Sequence, residues 1–246
     1  MRTTFVFVLL FLATAAAAHT SGSGCRLAVI VDGVERPEYA ANGTIYIEAL
    51  RGRDYSLRLI NPTPHRVAVA LSVDGLNTLD ARHTDAWSAA KWVLDPYETV
   101  EIAGWQVSDS TARKFYFTGE RSSYGAILGQ TENLGVIEAI FYRERPHEVQ
   151  RRMGGVLGET APDRDAAAGA ESRKSDDYAA TGMGGRTQHD VVTVDIDLDP
   201  RPIASARLRY EFRPQLVKLG VLPTERSPLD RREKARGFER YCPEPD

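Results

Sequence analysis

Cysteine is scarce in this chain. There are two in 246 residues, Cys25 and Cys242. That count excludes a disulfide-dense scaffold, a four-cysteine zinc site and a Cys-x-x-Cys redox pair. Histidine is scarce too. None of His19, His65, His83, His147 and His189 forms His-x-His or His-Glu-x-x-His, so a zinc hydrolase has no motif here. Glycine is present but never as Gly-x-Gly-x-x-Gly, and no phosphate loop occurs. Ser108 and Ser110 lack the glycines of a nucleophile elbow. No catalytic residue and no cofactor follows from motifs. Positive charge is not in excess, since the formal net charge is −3, which argues against nucleic acid as a partner. Long apolar runs are missing after residue 13, so no later segment is expected to cross a membrane.

What is present begins with an export signal. Arg2 is followed by the apolar run from Phe5 to Ala13 and by the small residues Ala15 to Ala18. These are the three parts of a secretory signal peptide, with cleavage expected between Ala18 and His19. The run is too short to span a bilayer comfortably, which disfavours an anchor helix. A lipoprotein reading is weaker still, because Gly22-Ser23-Gly24 before Cys25 lacks an aliphatic residue. Removing residues 1–18 takes away Arg2, their one charged residue, and moves the net charge from −3 to −4. The expected location is therefore the periplasm, the cell surface or the medium. In such an oxidising place Cys25 and Cys242 could pair and join the two ends of the mature chain. That bridge would contribute about 5 kcal/mol at most on chain-entropy grounds.

Strand signals start directly after the Ser/Gly stretch 20–24. Residues 26–31 are a β-branched run that stops at Asp32-Gly33. Asn42-Gly43 opens 44–50, and Asp74-Gly75 closes 66–73. Such dipeptides are the strongest short-range hairpin signals. Residues 55–60 alternate, with Tyr55, Leu57 and Leu59 on one face. Residues 76–90 are polar and read as a long loop. Further strands are expected at 91–94, 99–103, 114–118 and 135–142. From Arg145 to His189 the chain is charged and Gly/Ala-rich, which reads as a flexible insertion at 146–189. Strand alternation returns at 191–198 and 206–212, and 214–220 could be a short helix ending at Gly220. The whole reads as an all-β protein, an antiparallel β-sandwich of jelly-roll type. Its main part is 19–145, its closing strands and helix lie in 190–222, and a tail occupies 223–246. The sequon Asn42-Gly43-Thr44 is most simply a turn.

A string of short motifs runs through this domain: Ser72-Val73-Asp74-Gly75-Leu76-Asn77, Val93-Leu94-Asp95-Pro96, Ile102-Ala103-Gly104-Trp105-Gln106-Val107-Ser108, Ser123-Tyr124, Asn133-Leu134-Gly135-Val136-Ile137 and Phe141-Tyr142-Arg143-Glu144. The string resembles a group of bacterial proteins described as hypothetical. The resemblance implies one coherent domain and carries no activity and no site residue.

Candidate ligand contacts are therefore read from residue type and place. Asp80, His83 and Asp85 lie together in the 76–90 loop and could ligate a metal or act as an acid–base set, although a solvated loop is the plainer reading. Asp195, Asp197 and Asp199 alternate, but Pro200 stands where a calcium loop wants glycine. Trp87 is the better placed of the aromatic candidates, with Tyr97 and Tyr124 beside it, while Trp92 and Trp105 read as core. Arg121 and Tyr124 belong to the 119–133 loop, which is rich in residues suited to recognition. No metal site is expected.

The leading reading is an exported β-sandwich that binds a partner or serves as a structural module. The partner would be another exported protein, a second copy or a glycan. A rival is a carbohydrate-active hydrolase or lectin-like glycan binder, with Asp80, Asp85, Glu98 and Glu101 as paired carboxylates. A third is assembly by strand addition through the insertion or tail.

Overall fold

Three dipeptides that read as turns form turns of one kind. Asp32 and Gly33 have φ of 51° and 77°, Asn42 and Gly43 have 50° and 73°, and Asp74 and Gly75 have 54° and 77°. Positive φ at both central residues is the type I′ hairpin turn, whose twist matches the flanking strands. The pairs that close these hairpins are Val31 with Val34, Ala41 with Thr44 and Val73 with Leu76.

The computed structural model describes residues 23–145 and 177–224. The signal segment with the Ala18–His19 junction, residues 146–176 and residues 225–246 lie outside them. In chain order the strands are β1 (Arg26–Val31), β2 (Val34–Glu35), β3 (Glu38–Ala41), β4 (Thr44–Ala49), β5 (Asp54–Ile60), β6 (Val67–Val73), β7 (Leu76–Asn77), β8 (Trp92–Leu94), β9 (Thr99–Ile102), β10 (Gly104–Ser108), β11 (Thr111–Gly119), β12 (Val136–Glu144), β13 (Ala179–Gln188) and β14 (Leu198–Phe212). Two short helices accompany them, α1 (Tyr124–Ile127) and α2 (Arg213–Lys218). The fold is all-β, as its turn spacing and alternation indicate. Among the described residues no helix is long and apolar enough to cross a membrane.

The strands form two seven-stranded sheets. The first runs β10-β11-β5-β1-β2, with β13 on β11 and β9 on β5. The second runs β3-β4-β14-β12-β6-β7, with β8 on β6. All pairs are antiparallel except β14 with β4, which is parallel. The second sheet is therefore mixed, a correction to the purely antiparallel expectation. Inward residues of both sheets share one core, including Leu27, Leu57, Leu59, Phe115 and Phe117 from the first and Val69, Leu71, Phe141, Leu208 and Tyr210 from the second. In the first sheet β5 and β11 pair only at Tyr55–Phe115 and Asp54–Tyr116 and then part. The β9–β10 strand fills the fork, pairing with β5 and then with β11. Gly104 sits where it crosses over, and a Cβ there would lie 1.9 Å from the Arg113 carbonyl oxygen.

Two further expectations are corrected. The insertion expected at 146–189 ends earlier, because Ala179–Gln188 is β13 and pairs along all of β11. Its small residues are what the site demands. A Cβ on Gly182 would stand 2.3 Å from the Tyr116 ring, and Trp105 Nε1 donates to the Gly182 carbonyl at 3.3 Å. Aromatic neighbours fill the volume that large side chains on β13 would need. The strand expected over 191–198 does not form, and β14 starts only at Leu198. Of the expected Cys25–Cys242 staple, Cys25 alone lies among the described residues. Cys25 is a free, fully buried thiol that accepts a hydrogen bond from Ser23, and its expected partner Cys242 lies outside the described residues.

One polar network crosses the core between the sheets. Asp74 is 2% exposed. Its Oδ1 accepts from Gly135 N at 2.8 Å and from Tyr210 OH at 2.5 Å, and its Oδ2 accepts from Thr181 N at 2.7 Å. Thr181 Oγ1 lies 2.7 Å from Tyr210 OH and 2.6 Å from Tyr55 OH. Since Tyr210 gives its proton to Asp74, Thr181 donates to Tyr210 and Tyr55 donates to Thr181. Three hydroxyl dipoles thus point toward one carboxylate. Asp74 closes β6, Gly135 precedes β12, Thr181 is in β13 and Tyr210 in β14, so the network ties both sheets. Burial is the larger influence and pushes the Asp74 carboxyl up to about 7, against the hydrogen bonds that pull it down.

A folded value above the unfolded value of 3.8 means that the native state holds this proton more tightly. The stabilisation is complete at low pH and is lost as pH rises through about 7. Relative to Asp74→Asn, which cannot titrate, wild type is expected to lose about 3 kcal/mol between pH 4.5 and pH 7.5 by urea unfolding. A pH-independent difference would contradict the assignment. Gly104→Ala should cost about 3 kcal/mol in the same assay. Gly185→Ala is the control, because its Cβ would meet nothing.

Candidate functional site

The loop after β7 is held shut at its base. Asn77 is buried, and its Oδ1 accepts from Leu79 N at 2.8 Å while its Nδ2 donates to the Ala90 carbonyl at 2.8 Å. One side chain thus clamps both ends of residues 78–90. Thr78, 1% exposed, anchors the same base to two strands. Its carbonyl accepts from Gln106 N of β10 at 2.9 Å, and its Oγ1 accepts from Trp92 Nε1 of β8 at 2.9 Å. The body of the loop folds over the outer face of the second sheet, where Ala86 and Ala89 pack on Ala70, Ile140 and Tyr142. This explains why both faces of β6 are apolar.

A second segment runs alongside. Residues 189–197 form a strap tied to the β10–β11 turn, with His189 N donating to Ser110 O at 3.1 Å and Val191 N to Asp109 O at 2.8 Å. Gln106 fixes its start. The Gln106 Nε2 donates to the carbonyls of Ser108 and His189 at 2.6 and 2.9 Å. Its Oε1, 2.8 Å from His189 Nδ1, is then an acceptor. His189 therefore carries its proton on Nδ1 and keeps Nε2 as an acceptor. The imidazole meets the Trp92 ring edge-on at 5.4 Å. Burial holds the His189 pKa below its ordinary value.

Loop, strap and the β8–β9 turn enclose a cleft of about 870 Å³. Its apolar lining includes Trp92, Val100, Val107 and Ile196. Its charged lining is Asp80, Asp95, Glu98, Asp109 and Asp190 against Arg66 and Lys91. Five carboxylates against two cations make it acidic. Arg66 is already engaged, with Asp95 at 3.1 Å and Glu144 at 3.4 Å. The cleft thus favours a cationic or hydroxyl-bearing guest with an apolar side.

The sequence candidates are dispersed around this cleft. Asp80 lines it, and its Oδ1 accepts from Arg82 N at 3.0 Å as a turn residue. His83 faces a separate cavity of about 140 Å³, with Nδ1 2.9 Å from the Gly75 carbonyl. Asp85 accepts from Trp87 N and Ser88 N at 2.9 and 3.0 Å, and its pKa is lowered, first by the Ser88 side chain and then by these backbone bonds. Trp87 is 46% exposed and packs edge-on against Tyr142 at 5.4 Å, with the Lys91 ammonium 5.5 Å over its ring. Tyr124 opens α1 and packs on Trp105 at 5.0 Å, which makes it part of the core more than a ligand surface. Arg121 lies exposed in the 3₁₀ turn Glu120–Ser122. Trp92 and Trp105 are buried as expected. Tyr97, 70% exposed with φ 60°, marks the β8–β9 turn.

The four carboxylates of the hydrolase reading do not gather. Asp80 and Glu98 line the cleft, whereas Asp85 caps a turn and Glu101 binds Arg58 and Ser56 on the first sheet. Asp195, Asp197 and Asp199 are likewise separate in role, since Asp197 pairs with Arg145 at 3.6 Å and Asp199 accepts from Arg201 N. Among the described residues no group of three or more His, Cys, Asp or Glu could hold a metal ion. The residues that build the cleft, Asn77, Thr78, Gln106 and His189, were not candidates. Asn77 and Gln106 lie within the motif string, which was the one available signal.

Gln106→Ala is expected to cost about 1–2 kcal/mol, because it leaves the His189 backbone carbonyl and imidazole without their partner. In an NMR titration wild-type His189 should titrate below 6.5, and Gln106→Ala should move it upward as the strap opens to water. A normal wild-type value would contradict the buried placement. The chain matches no protein-family model, no curated protein and no solved structure.

Proposed function

We propose that this chain is an exported binding or interaction module, and that its recognition surface is the acidic cleft between the 78–90 loop and the 189–197 strap. The observation that carries the reading is the way the cleft is built. The 78–90 loop is pinned by the buried side chains of Asn77 and Thr78 and the 189–197 strap by the half-buried Gln106, while the surface between them stays open, with Val107 52% exposed. A rigid scaffold presenting irregular segments is the usual arrangement of a binding site. The export part rests on Arg2, the apolar run and the alanines before His19. A glycan-directed reading, as lectin or hydrolase, draws on the exposed Trp87 and on Asp80 and Glu98 sharing one cleft.

The test is a photo-crosslinking side chain at Val107 in the full chain, expressed in its native envelope. One stoichiometric protein adduct is expected, absent when the probe is moved to Val34 on the distant β2. A glycan adduct alone would favour the second reading. No adduct at all would overturn both. The mature mass should correspond to a chain starting at His19; a full-length chain confined to the cytosol would sink the export part.

A further inference from the structure

Residues 191–198 read Val-Val-Thr-Val-Asp-Ile-Asp-Leu. This is a β-branched, alternating sequence of high strand propensity, yet between Val191 and Asp197 its backbone pairs with no described strand. The β12–β14 ladder ends at Glu144 with Leu198, and one more bond joins Arg145 N to Asp197 O. From Val192 to Ile196 no backbone hydrogen bond reaches any described residue. Val192 is 86% exposed and Val194 43%. The segment is nevertheless tethered at both ends, through Val191 N to Asp109 O and through Asp197 to Arg145. Strand-forming residues with solvated backbone and exposed valines are what an acceptor for an added strand presents.

The contrast with its continuation is informative. Beyond Leu198, β14 pairs with β12 on one side, and β4 joins the other side only from Leu208. That open edge carries Pro200 and Pro202, which lack the N–H a guest strand needs. Among the described residues the edge is thus blocked at 200–202 and open at 192–196.

We infer that Val192–Ile196 is the docking strand for an extended basic segment of a partner protein, in which apolar residues alternate with lysine or arginine. The inference deepens the cleft reading above and rests on it. Charge selects the occupant. Asp190, Asp195 and Asp197 lie on the strap, and Asp80, Glu98 and Asp109 line the adjoining cleft. A second copy is disfavoured. Antiparallel self-pairing centred on Val194 would bring the two Asp195 carboxylates to diagonal positions, where like charges repel.

The probe is a labelled, end-capped heptapeptide alternating lysine and valine, titrated against the full mature chain by fluorescence anisotropy. Thr193→Pro and Val194→Pro each remove one N–H, on opposite edges of the segment. Neither disturbs a hydrogen bond among the described residues, so an unchanged melting temperature is expected for both. Wild type should bind the peptide, and at least one proline variant should bind about tenfold more weakly or worse. Methylating the peptide's backbone nitrogens should weaken binding equally while keeping its charge. Binding that survives both proline changes and N-methylation would be charge attraction alone and would overturn the inference, as would no binding. Self-association of wild type that the proline variants abolish, without peptide binding, would replace the basic partner by a second copy. A Val107 adduct that persists in the proline variants, with no peptide effect, would leave the cleft reading standing and remove the strand-addition claim alone.

Discussion

A carboxylate enclosed between two sheets is the constraint on which this fold turns. Removing Asp74 from water costs several kcal/mol unless its lone pairs are met. They are met by two backbone N–H groups and a tyrosine hydroxyl, contributed from three other places in the chain. Every one of those partners is in position only if β12, β13 and β14 are correctly registered. The network therefore couples the registers of both sheets. It also sets the geometry of the cleft, since β13 leads directly into His189 and the strap, and the Asp74-Gly75 turn leads into Asn77, Thr78 and the loop.

The cleft is a consequence of that coupling. Loop 78–90 covers the outer face of β6 and β12 because those strands carry Ala70, Ile140 and Tyr142 outward. The strap is held where it is by Gln106, whose amide is saturated by two carbonyls and an imidazole. The proposed function draws on what the described scaffold leaves open: an acidic cleft and a strand-like strap whose backbone bonds to no described strand from Val192 to Ile196.

Local features of the fold were legible in the sequence. The Asp32-Gly33, Asn42-Gly43 and Asp74-Gly75 turns and the alternation of Tyr55, Leu57 and Leu59 needed only neighbouring residues. The strand β13 was illegible because its sequence, Ala-Ala-Thr-Gly-Met-Gly-Gly-Arg-Thr-Gln, is small for a reason that lies in Tyr116 and Trp105, on other strands. The strap differed the other way, with strand chemistry and no partner strand among the described residues. Asp74 was visible as a turn residue, but its partners stand 61, 107 and 136 residues away. The cleft was missed for the same reason, since Gln106 and His189 are 83 apart.

The most direct measurement is amide hydrogen exchange on the full mature chain, without any partner. The account predicts slow exchange in β13 and in β14 from Ala204 to Tyr210, and near-random-coil exchange from Val192 to Ile196, next to the slower amide of Val191, whose N–H is bonded to the Asp109 carbonyl. Strong protection across 192–196 would mean that the edge is already filled, and would contradict the claim that it waits for a guest.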